Sequence, residues 1–277
     1  MTRPWIFHPS QFLPIREHLL PSGHLDALQD LLDDFDRRAL AAFRRVGANE
    51  KADGTAVTEV DTETTREVQS KLKARFPEYG LLIEEDPVPH LPDAEFQWVV
   101  DPLDGTAMFV RGFPAWGLGI GLMQGNTPRE GHLSFPALGE RYACIEGRIT
   151  FNGEPFVPPP APDVAQTRNL LVGSDLLKEL RLERLHGYKV RNFGTNLYHL
   201  ICTALGRAEG MISPRSYMWD IVPALPFTRS RGLVERFLDG RPFDLEADWV
   251  PDRRAAPLPA MVVARPEVAE EVIRQLR

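Results

Sequence analysis

WVVDPLDGTAMF, residues 98–109, is the stretch that decides how this sequence is interpreted. Its apolar start predicts a buried strand, which delivers two carboxylates, Asp101 and Asp104, at its carboxyl end. Gly105 and Thr106 follow at once. Aspartates at this spacing are also common in turns and at helix N-caps, so the pair alone predicts only a local structural role. What the stretch does therefore depends on the residues that the fold brings to it.

The composition is that of a globular protein with an acidic balance of charge. Of 277 residues, 43% are hydrophobic and 26% are charged, and the formal net charge is −7. This acidity argues against nonspecific nucleic-acid binding, which needs surfaces rich in Lys and Arg. We expect no membrane partner, because no apolar run approaches the roughly 20 residues that span a bilayer, and we find no signal peptide. Cys144 and Cys202 lack metal or redox spacing, which predicts buried free thiols in a cytoplasmic protein.

Alternating apolar and polar segments predict a mixed α/β fold. Helical periodicity covers 25–45 and 62–76, and the segments YGLLIEED and FQWVVDPLD each predict a buried strand that ends in acids. Further strands are predicted over WGLGIGLM, GHLSF, RYACIEGRITFNGEPF, 169–173, 188–192 and AMVVA, with a tight turn at Asn152-Gly153. Further helices are predicted near 175–186, over 195–209 with Gly210 as its stop, over YMWDIVPALPFTRSRG, and over 267–276.

The segment VPPPAPDVA, 157–165, is the best candidate for a linker, because its four prolines resist regular structure. It divides the chain into two α/β halves. We predict an N-terminal extension over 1–24 and an α+β half over 25–156 that carries most of the acids of interest. A second α/β half over 166–277 carries Asp220. We expect the two halves to form one compact unit.

Several acids occupy positions that suit metal binding. Glu84 and Glu85 end one predicted strand and the two aspartates of WVVDPLDGT end the next, while Asp61 and Asp220 open predicted helices. Mg²⁺ prefers oxygen ligands, commonly a few carboxylates together with phosphate and water. Each acid also has a structural interpretation, as a helix N-cap for Asp61 and Asp220 and as a solvated pair for Glu84-Glu85.

The pair Gly105-Thr106 supplies what a phosphate site needs beside such carboxylates. A glycine lets the backbone approach a ligand closely, and the N–H groups of a helix that begins there would face an anion. The Thr106 hydroxyl can orient an attacking water. Two metal ions and a positioned water are the parts required for in-line displacement at phosphorus.

Taken together, these motifs resemble the inositol monophosphatase family of Mg²⁺-dependent, lithium-sensitive phosphatases. WVVDPLDGT matches the long and highly specific signature of that family, VTEVD (57–61) matches its upstream element, and IEED (83–86) falls where the family has a Glu-Glu pair. MWDIVPA (218–224) falls at its Trp-Asp element. FNGEPF, GTNLYHLICTALGRAEGMI and AMVVA also occur in the family's order. The resemblance covers about residues 25–277.

The resemblance implies a fold, an assembly and a set of residue roles. The fold would be the layered αβαβα sandwich of the inositol monophosphatase and fructose-1,6-bisphosphatase type, and the protein would be a homodimer that binds two or three Mg²⁺ ions. The implied metal ligands are Glu84, Asp101, the carbonyl of Leu103, Asp104 and Asp220, with Asp61 supporting a third ion through water. Glu84 and Thr106 would activate the water, Gly105 and Thr106 would bind phosphate, and Gly194 and Thr195 would line the pocket for the rest of the substrate.

The sequence departs from the family pattern around the substrate. Ile83 replaces a glycine, Met108 replaces a polar residue, and Val222-Pro223 replace two small residues. Ser213 stands where inositol-specific members carry an acid. All the expected metal ligands are present, so the pattern favours phosphatase chemistry and leaves the identity of the substrate open.

Three functions remain open from the sequence. The first is Mg²⁺-dependent hydrolysis of a small phosphorylated substrate such as an inositol-1-phosphate-like polyol or a sugar phosphate. The second is histidinol-phosphate hydrolysis, or the activity of another phosphatase of the same family, since the spacing of residues 109–116 is also similar to that of histidinol-phosphate phosphatases. The third is a catalytically degenerate member that acts in binding or assembly, which the altered substrate residues suggest. His199 is expected to pack or to lie at the surface.

Overall fold

The computed structural model describes residues 24–45, 47–50, 56–86, 93–158, 168–248 and 257–277. The α-helices are α1 (His24–Ala42), α2 (Glu59–Arg75), α3 (Thr106–Arg111), α4 (Asn196–Ala204), α5 (Leu225–Ser230), α6 (Leu245–Asp248) and α7 (Pro266–Leu276). The strands of the first half are β1 (Asn49–Glu50), β2 (Ala56–Val57), β3 (Gly80–Ile83), β4 (Phe96–Asp104), β5 (Gly117–Gln124), β6 (Thr127–Phe135), β7 (Glu140–Ile145), β8 (Arg148–Phe151) and β9 (Glu154–Pro155). The remaining strands are β10 (Arg168–Val172), β11 (Tyr188–Arg191), β12 (Gly210–Ser213), β13 (Val234–Phe237) and β14 (Met261–Ala264).

Two sheets organise the fold. The first has seven strands in the order β3-β4-β5-β6-β7-β8-β9, and all its pairs are antiparallel except β3 with β4. The second has five strands in the order β11-β10-β12-β14-β13, in which β10 pairs in parallel with both its neighbours. Because β3 and β4 are parallel neighbours, the acids that follow each strand meet at one edge of the first sheet.

Helices cover both faces of each sheet, which confirms the layered αβαβα sandwich. Trp98 and Val100 point into a core shared with α1 and α2, whereas Val99 between them points into a core shared with α4 and α5. In β10, Leu171 joins that same middle core, and Leu170 points to the outer core under α7. Side chains alternate between faces along a strand, so a strand buried on both sides must be apolar throughout.

Close packing against glycines brings the middle layer onto the first sheet. A short 3₁₀ turn, Val222–Ala224, lies directly on β5 and β6. A Cβ atom on Gly131 would lie 2.2 Å from the carbonyl oxygen of Pro223, and one on Gly121 would lie 3.0 Å from its Cα. Val222-Pro223, which replace two small residues of the family pattern, therefore fit because glycines on β5 and β6 leave space for them. This contact holds the segment that carries Asp220 against the end of β4.

The prediction of a helix near 175–186 is wrong. The structure has two 3₁₀ turns there, Ser174–Leu177 and Leu182–Arg184. Both Leu180 and Leu182 pack against the core under α7. On one straight α-helix these two residues would point about 200° apart, so tertiary packing favours two short turns.

The predicted end of the 195–209 helix is also wrong. α4 ends at Ala204, and Gly206 adopts the left-handed conformation with φ +75. The amides of Gly206 and Arg207 donate to the carbonyls of Thr203 and Cys202, which is the Schellman pattern. Gly210 begins β12 instead. Strands β12 and β13 are further elements that the sequence pattern did not predict.

The predicted helix over 217–232 is broken and begins late. Asp220 lies in a turn before the 3₁₀ segment, and α5 occupies only 225–230. Pro223 and Pro226 lack the amide hydrogens that a continuous helix would use. Asp220 therefore does not open a helix.

Other predictions agree more closely with the structure. The apolar face of α1 is buried at Leu28, Leu31, Leu32, Phe35 and Ala39, and both cysteines are buried free thiols. His24, which we placed in the extension, is buried and begins α1. Residues 1–23 and 159–165 lie outside the described residues, and the division into halves stays a prediction. No helix within the described segments combines the length and apolarity needed to cross a membrane.

Candidate functional site

Asp61 is fixed from both sides at the start of α2. The helix begins at Glu59 with Thr58 as its N-cap, so the structural alternative that Asp61 is the N-cap is wrong. Its Oδ2 accepts hydrogen bonds from the backbone N–H of Thr58 at 2.7 Å and from the Thr58 hydroxyl at 2.5 Å. Oδ1 lies 3.0 Å from the hydroxyl of Thr106. The third helical position thus aims a fully buried carboxylate at the Gly105-Thr106 turn.

The end of β4 turns its two aspartates in different directions. The register between β4 and β5 shifts between Asp101 and Asp104. Within this irregular turn, the N–H of Leu103 donates to Oδ1 of Asp101 at 3.0 Å. The carbonyl of Leu103 lies 3.0 Å from the Thr106 hydroxyl, which donates to it or to Asp61. A side-chain and backbone network therefore joins Asp101, Leu103 and Thr106 to one another and to Asp61.

Asp104 caps a helix from the other half of the chain. Its carboxylate accepts hydrogen bonds from the backbone N–H groups of Asn196 at 3.2 Å and Leu197 at 2.8 Å, at the start of α4. That helix has no acid in its own first turn. A carboxylate at this position satisfies unpaired amides and interacts favourably with the helix dipole. Burial nevertheless raises the pKa of Asp104, against the lowering effect of these amides.

Asp220 is held by its own turn and by Asn196. The N–H of Tyr217 donates to Oδ2 of Asp220 at 2.6 Å, and Nδ2 of Asn196 donates to its backbone carbonyl at 2.9 Å. The hydroxyl of Ser213 donates to Oδ1 of Asn196 at 3.1 Å and lies 2.9 Å from the hydroxyl of Ser216. Sequence reasoning missed Asn196 and Ser216. The first of these follows Gly194-Thr195 directly at a helix start without an acid, which was the available signal.

The predicted phosphate turn and the predicted substrate segment are in contact. Gly105 has a φ of +80, and a Cβ atom there would lie 2.1 Å from Cγ2 of Thr195. Only glycine fits, because the conformation is left-handed and the neighbour leaves no space. A Cβ atom on Gly194 would lie 2.4 Å from Sδ of Met108. The methionine that departs from the family pattern therefore packs on the segment predicted to bind substrate.

Asp101, which is 2% exposed, interacts electrostatically with three other carboxylates. Burial raises the pKa of Asp101 well above its usual range. The next causes are the negative charges of three other site residues, Glu84, Asp104 and Asp220. Glu84 and Asp220 are half-buried and Asp61 and Asp104 are buried, so the cluster extends from the interior to the surface. The structure thus places Glu84, Asp104 and Asp220 near enough to Asp101 to act on its charge, while the assignment of these residues to a site stays a prediction.

The donor chemistry of this cluster fits Mg²⁺, since it consists of carboxylate and carbonyl oxygens alone. A divalent cation would also neutralise charges that otherwise raise the pKa of Asp101. The orientation of the side chains is set by backbone amides, as at Asp104 and Asp220. Among the described residues, no three acidic, His or Cys side chains are grouped closely enough to hold one ion between them.

Comparison with known proteins gives one consistent family. The sequence model of the inositol monophosphatase family matches residues 27–251. A histidinol-phosphatase of Chlorobaculum parvum is 32% identical over 73% of this chain and 77% of its own length. A probable inositol 1-monophosphatase, ImpA, of Mycobacterium tuberculosis is 29% identical over 84% of this chain and 91% of its own.

The fold agrees with these sequence matches. A solved inositol monophosphatase/NADP phosphatase, complexed with Mg²⁺ and phosphate, superposes with a TM-score of 0.75 over 91% of this chain and 94% of its own. The two sequences are 19% identical. At that identity the superposition shows a shared fold.

Proposed function

Because this chain belongs to the inositol monophosphatase family, we propose that it is a Mg²⁺-dependent phosphatase of small phosphomonoesters. The observation that carries the proposal is the arrangement around Asp101. Three further carboxylates lie near enough to raise its pKa, and the neighbouring Thr106 hydroxyl contacts Asp61. A fold needs no such concentration of negative charge for its stability, whereas a metal-dependent phosphatase does.

Two ions would be held by residues from three segments of the chain. Glu84, Asp101 and the carbonyl of Leu103 are proposed to hold the first ion. Asp101, Asp104 and Asp220, whose side chains do not share one ion position among the described residues, are proposed to close on the second ion when it binds, and Asp61 is proposed to support a third through water. When bound, such ions neutralise phosphate charge and lower the pKa of a coordinated water. The Mg²⁺ in the solved relative supports this choice of ion.

The chain's own residues prepare the attacking water. The Thr106 hydroxyl can donate to Oδ1 of Asp61 at 3.0 Å, which leaves its lone pairs to accept a hydrogen bond from water. Glu84, half-buried after β3, is proposed to take up the water proton. The backbone amides of Gly105 and Thr106 are proposed to bind phosphate, and Asp220 is proposed to lie on the side of the departing alkoxide, which leaves as the alcohol after it takes up a proton from water. Water attacks phosphorus directly, so no phosphorylated enzyme forms.

Neutral hydrogen-bonding groups line the region beside Asp220. The amide of Asn196 and the hydroxyls of Ser213 and Ser216 bond to one another. Both serines are buried, so this cluster supports the Asp220 turn and does not select the substrate. We propose a phosphorylated polyol or sugar as the first substrate class because the family includes a similar chain named as a probable inositol 1-monophosphatase. Histidinol phosphate is the second candidate, on the strength of the 32% identical histidinol-phosphatase.

The deciding experiment measures phosphate release from a panel of phosphomonoesters, with Mg²⁺ and with EDTA. The panel contains inositol 1-phosphate, sugar phosphates and histidinol phosphate. We expect Mg²⁺-dependent turnover by the wild type and loss of several orders of magnitude in Asp101→Asn. Isothermal titration measures Mg²⁺ binding on the same samples. A chain that turns over nothing and binds no Mg²⁺ is the degenerate member, and the phosphatase proposal is then wrong.

The homodimer and the cytoplasmic location also remain proposals, carried by the resemblance and by the unpaired cysteines respectively. Sedimentation velocity on the purified full chain tests the first. A single species at about 31.2 kDa would contradict the dimer.

A further inference from the structure

His199 is a buried polar residue that the phosphatase chemistry does not use. It lies in the second turn of α4 and is 1% exposed. The backbone N–H of Phe193 donates a hydrogen bond to its Nε2 at 2.8 Å. Because Nε2 accepts, the proton of the neutral ring must be on Nδ1. That Nδ1 has no hydrogen-bond partner in the described part of the chain.

This arrangement is costly for a residue that only fills space. A buried donor without a partner destabilises the fold, and an apolar side chain of similar size would avoid that penalty. Burial also lowers the pKa of His199 to about 4, so the ring stays neutral and Nε2 stays available as an acceptor at ordinary pH. The imidazole therefore has a specific task, which is to bond the backbone of residue 193.

The bonded residue belongs to a short loop that leads to the site. The loop, residues 192–195, connects β11 to α4. Nδ2 of Asn192 donates to the hydroxyl of Ser174 at 2.8 Å, and the N–H of Gly194 donates to Oδ1 of Asn192 at 2.6 Å. The Phe193 ring is 43% exposed and packs edge-on against Tyr198 and His199. The His199 side chain ties the Phe193 backbone of this loop to the buried side of α4.

The far end of the loop makes the contacts that define the substrate side of the site. Thr195 packs against Gly105, and Gly194 packs against Met108. A displacement of the Phe193 backbone would move both contacts. The carboxylates around Asp101 belong to other segments, and the one that reaches α4, Asp104, is bonded to Asn196 and Leu197 within the helix and not to the loop.

We propose that His199 is a positioning residue, whose neutral imidazole holds loop 192–195 so that Gly194 and Thr195 meet the substrate. The inference rests on the proposed phosphatase function and adds a residue to its substrate side. It has two consequences that can be measured separately. The Phe193 amide is protected from hydrogen exchange, and loss of the acceptor raises KM more than it lowers kcat.

Two substitutions in the full chain separate the effect of the hydrogen-bond acceptor of His199 from the effect of its side-chain volume. His199→Leu retains bulk without an acceptor, whereas the side-chain oxygen of His199→Gln can occupy the position of Nε2. We expect His199→Leu to raise KM about tenfold with kcat changed less than about threefold, which is the order of one buried hydrogen bond. Amide exchange over 192–195 becomes about tenfold faster in the same variant. His199→Gln restores both values.

The exchange measurement keeps the test independent of catalysis. If no phosphomonoester is turned over, the proposed function fails, and exchange at Phe193 still decides the role of His199. If His199→Leu does not fold, the wild type alone suffices, because a Phe193 amide that exchanges as fast as an unprotected one overturns the proposal. An unchanged KM with unchanged exchange in a folded His199→Leu overturns it as well, and so does a failure of His199→Gln to restore them.

Discussion

The backbone N–H of Leu103 donates to Oδ1 of Asp101 at 3.0 Å, so this buried carboxylate has a hydrogen bond that an amide side chain could also accept. The bond offsets only part of the cost of burying its charge. Burial and the charges of neighbouring carboxylates still raise the pKa of Asp101 well above its usual range. The buried charge of Asp101 therefore costs the fold stability.

We expect Asp101→Asn to be more stable than the wild type in EDTA at pH 7. A raised folded-state pKa means that the ionised wild type loses stability as pH rises above the unfolded-state value, and asparagine removes that loss. Each unit by which the folded state raises the pKa lowers the free energy of unfolding of the ionised wild type by about 1.4 kcal/mol. Removing that loss corresponds to a rise in the Tm of Asp101→Asn of about 3–6 °C for a chain of this size. Thermal denaturation measures it.

Mg²⁺ provides the control for this prediction. Saturating Mg²⁺ should raise the Tm of the wild type and leave that of Asp101→Asn nearly unchanged, because binding to the folded state stabilises it. A lower Tm for Asp101→Asn in EDTA would show that the carboxylate is structural, contrary to our interpretation.

Thr106→Ala and Thr106→Ser test the contact between the hydroxyl and Asp61. The alanine variant loses the group that lies 3.0 Å from Oδ1 of Asp61, and we expect kcat to fall about 10²–10³-fold. The serine variant keeps a hydroxyl and should retain kcat within about tenfold. Steady-state phosphate release measures both. Equal kcat values for the two variants would exclude the hydroxyl from water activation.

Local pattern was sufficient to predict the acids and the strands that carry them. The apolar run 98–100 predicts a strand buried on both faces, and the two faces indeed belong to different cores. The αβαβα sandwich came from the resemblance, since periodicity cannot order layers. A contact within one segment, such as that between Leu103 and Asp101, was therefore accessible from the sequence.

Contacts between distant segments were not accessible. Asn196 contacts Asp220 across 24 positions, and Asp104 reaches the start of α4 across 93. The glycines beneath Pro223 look like ordinary strand residues until the middle layer is placed. The prediction of a helix near 175–186 was wrong for the same reason, because tertiary packing of its leucines overrides helical periodicity.

Gly131→Ala should destabilise the protein through overpacking. The added Cβ would lie 2.2 Å from the carbonyl oxygen of Pro223 and 2.8 Å from the Phe227 ring. Such overlap in a tightly packed core typically costs about 1–3 kcal/mol. Because Asp220 precedes Pro223 by three positions, kcat should fall too. Gly47→Ala is the matched control, since nothing lies within 4 Å of its added Cβ. Urea denaturation that ranks the two variants equal would contradict this packing.

The buried Glu130 should make stability depend on acid pH. It accepts hydrogen bonds from Nδ1 of His24 at 2.8 Å and from Nε2 of His132 at 3.1 Å. Burial opposes ionisation, but these two histidines lower the pKa of Glu130 from 4.5 to about 2. A lowered folded-state pKa contributes stability above pH 4.5, and that contribution is lost as pH falls towards 2. The full contribution of the ionised Glu130 to the free energy of unfolding is about 3 kcal/mol.

Glu130→Gln should therefore be less stable than the wild type at pH 7 by up to about 3 kcal/mol. The difference should shrink between pH 4.5 and pH 2 as the wild type loses its ionised carboxylate. Urea denaturation across that range measures it, with the exposed Glu154→Gln as control. A difference that stays constant with pH would show that packing, and not charge, stabilises this cluster.

Asn196→Ala should loosen Asp220 while leaving the cap on α4 intact. The backbone N–H of Asn196 still donates to Asp104, but its side chain no longer donates to the carbonyl of Asp220 at 2.9 Å. Loss of this bond costs about 1 kcal/mol of stability. Since Asp220 is proposed to act on the leaving-group side, kcat should fall about tenfold. Ser213→Ala removes the bonds of this hydroxyl to Asn196 and Ser216 but keeps the bond from Asn196 to Asp220. It should keep kcat within about threefold if the bond to Asp220 is the one that matters. Equal losses of kcat in both variants would mean that the whole neutral cluster, and not the position of Asp220, supports the reaction.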